Sequence, residues 1–310
     1  MLKKIVFMGT PLFAVPILKS LYQNGYQVSV VYTQPPQKSQ RGQKINKSPI
    51  QGMSETLKIE YRTPGSLKNN KDEYKYLKEL NADIAIVVAY GQIIPKEYLS
   101  LVKKGFINIH ASLLPKWRGA APIQRSIMNL EKETGISIMK IGEKLDTGPI
   151  CNIYKIEIKV DDNLETITEK LSALAAEKIL DNIDEILEDK IEFKKQNHTE
   201  ASYAAKIEKT EGQIKWSETA ENIIGKINGL YPSPGAFFIY NGERYKILKA
   251  ELSFSSGEVG EVLDNYLEIT CGNKKSIKIM EIQRQGKRPQ SISEFMLGSK
   301  IKKGSNLNNA

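Results

Sequence analysis

The residues best placed for chemistry are two polar side chains that share one face of a predicted strand. Asn108 and His110 lie two positions apart in the β-forming run Phe106–His110, and strand side chains alternate between the two faces of a sheet. The carboxyl end of such a strand is where α/β sheets bind ligands, and an imidazole can transfer a proton near neutral pH. A histidine at a strand end can also serve packing alone, so the pair indicates either a ligand site or a structural contact.

A carboxylate, Asp146, lies in the segment Leu145–Pro149, shortly after the apolar run Gly135–Lys140. The triplet Asp-Thr-Gly that it begins also occurs in aspartic proteases, which need two carboxylates sharing one proton. This chain has one such triplet, and it stands in an α/β pattern rather than an all-β one. The protease interpretation is therefore disfavoured, and spacing alone leaves the role of Asp146 open.

The segment Ser112–Gln124 leads from the strand of Asn108 and His110 into a predicted helix. It contains a tryptophan, an arginine, a glycine and two prolines. A plain connection needs none of these residues. The segment is therefore either a rigid structural loop or part of a binding site.

Short apolar, β-rich runs alternate with helical patterns in the first half of the chain. Strands are predicted at Ile5–Met8, Val28–Tyr32, Ile84–Ala89 and Phe106–His110, and helices from Pro16 to Asn24 and over 73–80 and 163–187. This alternation is typical of an α/β fold with a Rossmann-like, doubly wound and mostly parallel sheet.

Beyond Tyr203 the pattern changes to short strands with frequent glycines, predicted at 236–240, 245–252, 260–263, 267–270 and 277–281. A small all-β, OB-like barrel fits this pattern. A polar, Lys-rich segment precedes it. We therefore expect an α/β domain over 1–189, a linker over 190–205 and a barrel domain over 206–310.

Composition limits the classes of function. The chain has 45 Lys and Arg against 36 Asp and Glu, a net charge of +9, which suits a polyanionic partner but also an ordinary Lys-rich surface. Cys151 and Cys271 lack the spacing of a disulfide framework or a zinc site. No run has the length of a signal-peptide core or a membrane span. We expect a cytoplasmic monomer with free thiols, no bound metal and no membrane contact.

One connection is both long and basic. The segment Gln34–Pro49 contains Lys38, Arg41, Lys44 and Lys47 and no acidic residue. It joins a strand to a helix, where about two to six residues are usual. Such a loop is either functional or mobile and solvated.

These features together resemble the folate-dependent formyltransferases, and within them the branch that acts on methionyl-tRNA. The motifs that carry the resemblance run in order along the chain: Met8–Pro11 with Phe13-Ala14, Thr33–Pro35, Val88–Gly91, Asn108–Arg125 and Leu145–Gly148, with weaker similarity at Tyr203–Trp216 and Tyr231–Ala236. The resemblance implies that 10-formyltetrahydrofolate gives its formyl group to the α-amino group of methionyl initiator tRNA, for translation initiation.

The resemblance also implies roles for individual residues. Asn108, His110 and Asp146 match the catalytic set. Asn108 and a protonated His110 would donate hydrogen bonds to the oxyanion formed by amine attack. Asp146 would stabilise the imidazolium and accept the amine proton through a water. Folate contacts are implied for the turn made by Ser112, Leu113, Leu114 and Pro115, with the pterin near Val88–Ile93.

For the tRNA, the resemblance implies contacts from the basic loop through Arg41, Lys44 and Lys47. The basic flank of the barrel, from Lys274 onward, would provide a second docking surface. The chain departs from the family pattern at two places in this half. Lys226 stands where an arginine is usual, and the turn Cys271–Lys275 differs from the usual one. The tRNA contacts of the second half therefore stay open.

Other functions must be weighed against this one. A related formyltransferase could act on glycinamide ribonucleotide or on an amino-sugar nucleotide, although Gly9-Thr10-Pro11 differs from the glycine-rich phosphate loop of the purine enzyme. A non-enzymatic RNA-binding protein would have no use for the Asn, His and Asp set. A Rossmann dehydrogenase is disfavoured because Gly9 lacks the second and third glycines of the dinucleotide fingerprint.

Overall fold

The computed structural model describes residues 3–39 and 44–308. Its strands are β1 (Lys4–Gly9), β2 (Gln27–Tyr32), β3 (Gln37–Ser39), β4 (Lys44–Asn46), β5 (Tyr61–Arg62), β6 (Ile84–Val88), β7 (Phe106–His110), β8 (Arg118–Gly119), β9 (Glu133–Lys140), β10 (Ile150–Glu157), β11 (Tyr203–Ala204), β12 (Ala236–Tyr240), β13 (Glu243–Ser253), β14 (Glu268–Thr270), β15 (Ser276–Arg284) and β16 (Gln290–Ser291). Its α-helices are α1 (Val15–Gln23), α2 (Pro49–Leu57), α3 (Lys71–Leu80), α4 (Pro122–Met128), α5 (Leu164–Leu187), α6 (Ala220–Gly229) and α7 (Ile292–Met296).

The chain divides into two compact units. Unit 1 contains the residues up to Gly119 together with Thr134–Ile156 and Thr168–Tyr203. Unit 2 contains Ala120–Glu133, Glu157–Ile167 and the residues from Ala204 onward. The domain boundaries expected from the sequence, at 189 and 206, stay a prediction.

Unit 1 is built on a mixed sheet with the strand order β10-β9-β7-β6-β1-β2-β5. Strand β1 is parallel to β2 and β6, β6 is parallel to β7, and β2 is parallel to β5. Strand β9 is antiparallel to β7. The central strands are apolar on both faces, and all of β6 is buried, as expected for a sheet covered on both sides. The prediction of a Rossmann-like, mostly parallel sheet is confirmed.

The helices of unit 1 begin and end at the residues that their chemistry favours. Pro16 lies in the first turn of α1, and Asn24 follows its last residue, both as predicted. The side chain of Ser48 accepts a hydrogen bond from Gln51 N at the start of α2, and the side chain of Asn70 accepts one from Glu73 N at the start of α3. The helices are thus anchored where the strand-end loops leave the sheet.

Unit 2 contains a five-stranded antiparallel sheet in which β12, β13, β15 and β14 are neighbours and β16 pairs with β15. Aromatic residues fill its core: Trp216 packs edge-on against Phe238, which stacks on Tyr245. The change to an antiparallel β-sheet domain in the second half is confirmed, and the helices α6 and α7 lie in the same region. The predicted strand at 260–263 is replaced by isolated bridges at Glu261 and Val262. No helix within the described residues is both long and apolar enough to cross a membrane.

Candidate active site

Asn108 and His110 lie on β7, between the parallel strand β6 and the antiparallel strand β9. Asn108 is opposite Val87 on β6 and Met139 on β9, and His110 is opposite Ser137. His110 is 7% exposed, whereas Asn108 is half-buried. Within the described part of the chain, the Asn108 side chain makes no hydrogen bond. Its amide is therefore available to a ligand.

The ring of His110 is held in one orientation. Its Nε2 lies 3.0 Å from the carbonyl oxygen of Trp117. A carbonyl oxygen only accepts, so Nε2 carries the hydrogen and donates it. Nδ1 faces the other way and lies 3.8 Å from Asp146 Oδ2. This distance is beyond a direct hydrogen bond, so Nδ1 is the ring nitrogen left to meet a substrate or a water.

Asp146 reaches His110 by an indirect route. Because β9 is antiparallel to β7, with Ser137 opposite His110 and Lys140 opposite Ile107, the chain leaves β9 at the start of β7. The loop 141–149 must then turn back. Asp146 Oδ2 accepts a hydrogen bond of 2.8 Å from Gly119 N. Its backbone has a φ of +50°, a left-handed conformation that aspartate tolerates better than most residues.

A close backbone approach fixes the end of this loop. Lys140 N donates to Pro149 O at 2.9 Å. A Cβ atom at Gly148 would lie 1.8 Å from the carbonyl oxygen of Lys140. Only glycine fits at this position, and its close packing holds the turn that carries Asp146.

The predicted folate turn, Ser112–Pro115, follows β7 directly. Ser112 and Leu114 are buried, and the Ser112 hydroxyl donates to Lys116 O at 2.7 Å. Ser137 Oγ donates to Ser112 O and accepts from Leu114 N, which ties the turn to β9. Leu113 and Pro115 are only partly buried. A ligand could therefore touch Leu113 and Pro115 with their side chains, whereas Ser112 and Leu114 shape the turn.

The predicted pterin segment, Val88–Ile93, leaves β6 beside the end of β1. Thr10 Oγ1 donates to Tyr90 O at 2.8 Å, and Gln34 Nε2 donates to the same oxygen at 3.2 Å. These bonds join the loops that follow β1, β2 and β6. The Gln92 side-chain oxygen is buried and has no hydrogen-bond partner among the described residues. The segment thus combines a fixed backbone with an unused acceptor.

Comparison with known proteins identifies this architecture. Residues 3–183 match the formyl transferase family, and residues 206–300 match the formyl transferase C-terminal domain. A methionyl-tRNA formyltransferase of Pelagibacter ubique (strain HTCC1062) is 73% identical over 309 residues, which cover 100% of both chains. One of Caldanaerobacter subterraneus subsp. tengcongensis is 42% identical over 98% of this chain and 99% of the relative. This chain belongs to the formyl transferase family.

Solved structures share the fold of this formyl transferase at low sequence identity. The sugar 3N-formyl transferase WlaRD has a TM-score of 0.70 and 22% identity over 93% of this chain and 100% of its own. The N-formyltransferase of Helicobacter canadensis has a TM-score of 0.69 and 22% identity over 92% of this chain and 100% of its own. These likenesses support the Rossmann-like fold assigned above.

The residues predicted to bind tRNA are only partly described in this formyl transferase. Arg41 lies outside the described residues. Strands β3 and β4 pair antiparallel, and Lys44 is the first residue of β4. The amine of Lys47 lies 2.9 Å from Glu55 on α2. Hydrogen bonding to Glu55 raises the pKa of Lys47, so this cation already has a protein partner.

The two places in unit 2 that depart from the family pattern, Lys226 and the turn Cys271–Lys275, have local structural roles. Lys226 Nζ lies 3.0 Å from Glu218 Oε1 and donates to Gln213 O. Asn273 Oδ1 accepts from Ala220 N at the start of α6. Lys275 pairs with Glu221 in the first turn of the same helix. Both departures therefore stabilise α6 and its surroundings.

Unit 2 also carries a basic cleft of about 250 Å³, lined by Arg244, Lys246, Gln283, Arg284, Gln285 and Gly286. The Arg244 guanidinium lies over the Phe237 ring at 3.6 Å, and its buried Nε has no partner among the described residues. Burial, and then the positive charge of Arg244, lower the pKa of Lys246. Of the three cations, Arg284 has a carboxylate partner in Glu243. The cleft is suited to an anion.

Sequence analysis missed two residues beside the site. Arg118 and Gln196 are buried and hydrogen-bonded to each other, and Gln196 also bonds to the Asp146 turn. Arg118 stood within the unusual loop, but Gln196 lay in the expected linker and gave no signal. His198 is exposed, and its Nδ1 accepts from Arg118 Nη2 at 3.0 Å.

Among residues 3–39 and 44–308, no three His, Cys, Asp or Glu side chains are grouped so that they could hold a metal ion. Formyl transferases move a formyl group from a donor to an acceptor. Here an imidazole nitrogen and a carboxylate lie 3.8 Å apart, and the amide of Asn108 lies two residues before the histidine on the same strand. Such a set can stabilise an oxyanion and pass a proton.

Proposed function

We propose that this enzyme transfers the formyl group of 10-formyltetrahydrofolate to the α-amino group of methionyl initiator tRNA. The observation that carries the proposal is the 73% identity, over the full length, to a protein named methionyl-tRNA formyltransferase. A role in translation initiation would place the enzyme in the cytoplasm, as the sequence predicts. The monomeric state also stays a prediction.

Asn108, His110 and Asp146 are proposed as the catalytic residues. The bound formyl donor supplies an activated carbonyl carbon. Asn108 donates its free amide N–H to the formyl oxygen as negative charge develops there. His110 donates from a protonated Nδ1, because Nε2 is already bonded to Trp117 O. Asp146 stabilises the charged imidazole and, through a water, takes the proton that the amine loses.

The proton balance needs one further step. When the bond between the formyl carbon and the folate nitrogen breaks, that nitrogen must gain a proton. Asp146 can return the proton it received, and the 3.8 Å between Asp146 Oδ2 and His110 Nδ1 leaves both groups within reach of one water. No net proton is consumed by Asp146 over the cycle.

The loops around these residues fit a flat heterocycle. Leu113, Pro115 and Ile93 offer apolar side-chain surface, and Ile93 is 84% exposed. The unpartnered Gln92 oxygen can accept a hydrogen bond from an amino or ring N–H group. We propose that Ser112–Pro115 and Val88–Ile93 hold the formyl donor.

For the RNA partner, we propose two contact regions. The first is the basic loop with Arg41, Lys44 and Lys47. The second is the basic cleft of unit 2, where Arg244 and Lys246 are adjacent cations without a carboxylate partner among the described residues. Phosphate groups would relieve the repulsion between them.

The test is a formyl-transfer assay with 10-formyltetrahydrofolate and four acceptors: methionyl-tRNA, unacylated tRNA, free methionine and an amino-sugar nucleotide. We expect product with methionyl-tRNA at a kcat/KM far above that with free methionine. Unacylated tRNA has no α-amine, so we expect it to inhibit without being formylated. Faster turnover of the amino-sugar nucleotide than of methionyl-tRNA would contradict the proposal and favour the sugar-modifying alternative.

A further inference from the structure

A bracket of hydrogen bonds joins the Asp146 turn to a residue of the expected linker. Gln196 Nε2 donates to Asp146 O at 2.9 Å and to Gly148 O at 2.7 Å. Gln196 Oε1 accepts from Arg118 Nε at 3.1 Å and from Arg118 Nη2 at 2.6 Å. Gln196 is 8% exposed and Arg118 is 2% exposed. Water therefore has little access to these bonds.

The partners fix the direction in which the Gln196 amide points. A guanidinium only donates and a main-chain carbonyl only accepts, so the oxygen must face Arg118 and the nitrogen must face the turn. Two N–H groups meet two carbonyls, and one oxygen meets two N–H groups. Every hydrogen-bonding position of this amide is used, so Gln196 has none left for a substrate.

The bracket supports Asp146 from both of its sides. Gln196 holds the main-chain oxygen of Asp146. It also holds the side chain of Arg118, the residue that precedes Gly119 in β8. Gly119 N in turn donates to Asp146 Oδ2 at 2.8 Å. The left-handed backbone of Asp146, with φ at +50°, is a conformation that a non-glycine residue keeps when its surroundings hold it.

We propose that Gln196 is a positioning residue that sets the distance and direction of the Asp146 carboxylate relative to His110. This inference rests on the proposed function, in which Asp146 acts in formyl transfer. Gln196 does not touch the reacting atoms. Its contribution is to keep the Asp146 turn in the geometry that the reaction needs.

The first test compares two substitutions by steady-state kinetics. Gln196→Met has a similar length but neither donates nor accepts strongly. We expect kcat to fall about 10- to 100-fold, as for a catalytic group displaced by about 1 Å, while KM for both substrates changes less than about 3-fold. Gln196→Glu keeps the acceptor for Arg118 but sets a carboxylate against two carbonyl oxygens. We expect it to be as impaired as Gln196→Met, and wild-type turnover in Gln196→Glu would overturn the proposal.

A matched control separates positioning from general loss of stability. Asn182 is fully buried in unit 1, donates to Tyr154 OH and Lys178 O, and accepts from Asn152. Asn182→Leu also removes a buried, hydrogen-bonded amide, without touching the Asp146 turn. We expect it to lower Tm but to leave kcat within about 2-fold at temperatures where it is folded. Equal losses of kcat in the two variants would show that Gln196 is merely structural.

The final test is the coupling between Gln196 and Asp146. If Gln196 acts through Asp146, then Asp146→Asn combined with Gln196→Met should be no slower than Asp146→Asn alone, because residues that act as one unit are non-additive. Multiplied losses would overturn the positioning role. Full activity of Asp146→Asn would instead contradict the proposed function, and an inactive Asp146→Asn with normal Gln196→Met would contradict this inference alone.

Discussion

The Asn108 site of unit 1 and the basic cleft of unit 2 present polar groups to a ligand in opposite ways. In the site, His110 is buried, Asp146 is partly buried, and each is hydrogen-bonded to a main-chain atom. In the cleft, Arg244 and Lys246 are partly exposed, carry like charges and have no carboxylate partner among the described residues. The difference shows that group transfer depends on side-chain atoms held at fixed positions, whereas binding of a polyanion depends on the number of positive charges.

The largest effect on kcat is expected from removing the side-chain amide of Asn108. Asn108→Ala deletes an amide with no hydrogen bond to the described chain, so we expect Tm to change little. Loss of one oxyanion donor should lower kcat by about 10²- to 10³-fold. The measurement is single-turnover formyl transfer together with thermal unfolding. Near-normal turnover in folded Asn108→Ala would remove Asn108 from the proposed mechanism.

The next effect tests whether the site depends on close backbone packing. Gly148→Ala places a methyl group against Lys140 O, and we expect a loss of about 1–3 kcal/mol in unfolding free energy and a lower kcat as Asp146 moves. Gly142→Ala is the matched control in the same loop, because a Cβ there would be 4.0 Å from its nearest neighbour. Urea unfolding and kcat are measured for both. Equal tolerance of the two would show that the loop is loosely packed.

A smaller effect is expected in the cleft, and it should depend on salt. Arg244→Ala with Lys246→Ala should raise KM for the tRNA about 10-fold and lower the slope of log Kd against log salt by about 0.7–0.9 per lost phosphate contact. We expect kcat to stay unchanged. The control is Lys75→Ala with Lys78→Ala on α3, which removes the same charge elsewhere. An identical salt slope in the two double variants would exclude the cleft as an RNA contact.

The smallest effect concerns an ion pair within unit 2. Hydrogen bonds from Arg125 lower the pKa of Glu211. A lowered pKa means that this pair stabilises the folded chain above the unfolded pKa of glutamate, near about 4.3, and that the contribution is lost as pH falls through the folded value. Glu211→Gln should therefore cost about 1 kcal/mol or less at pH 7 and nothing well below pH 4. A Tm difference that is constant across this range would contradict the assignment.

Much of the fold was predictable because short-range patterns determine it. Alternating apolar runs and capped helices defined the Rossmann-like sheet, and the spacing of Asn108 and His110 placed both on β7. The antiparallel direction of β9 was not predictable, since the residue types of the run Gly135–Lys140 predict a strand but do not indicate whether it runs parallel or antiparallel to its neighbours. The role expected for Asp146 beside the imidazole of His110 therefore depended on resemblance rather than on geometry.

Long-range contacts explain what the sequence did not reveal about the site. Gln196 meets Asp146 and Gly148 from about fifty positions away, and a polar, Lys-rich neighbourhood hid it. The pairing of Lys47 with Glu55 was also unforeseen, because a basic loop was read as free charge. In both cases a side chain's partner is set by tertiary folding and not by its neighbours in the chain.

The orientation of His110 has a consequence for how the sequence of this loop can change. Its ring is held by the carbonyl oxygen of Trp117, and the Asp146 carboxylate by the N–H of Gly119. Both supports are main-chain atoms, which every replacement residue except proline at a donor position also possesses. The backbone at both positions is nevertheless unusual, with φ at +62° in Trp117 and +124° in Gly119, a region that glycine adopts most readily. Replacing Gly119 is therefore expected to strain the loop and to move the Asp146 carboxylate, so backbone conformation limits how the sequence of this loop can change.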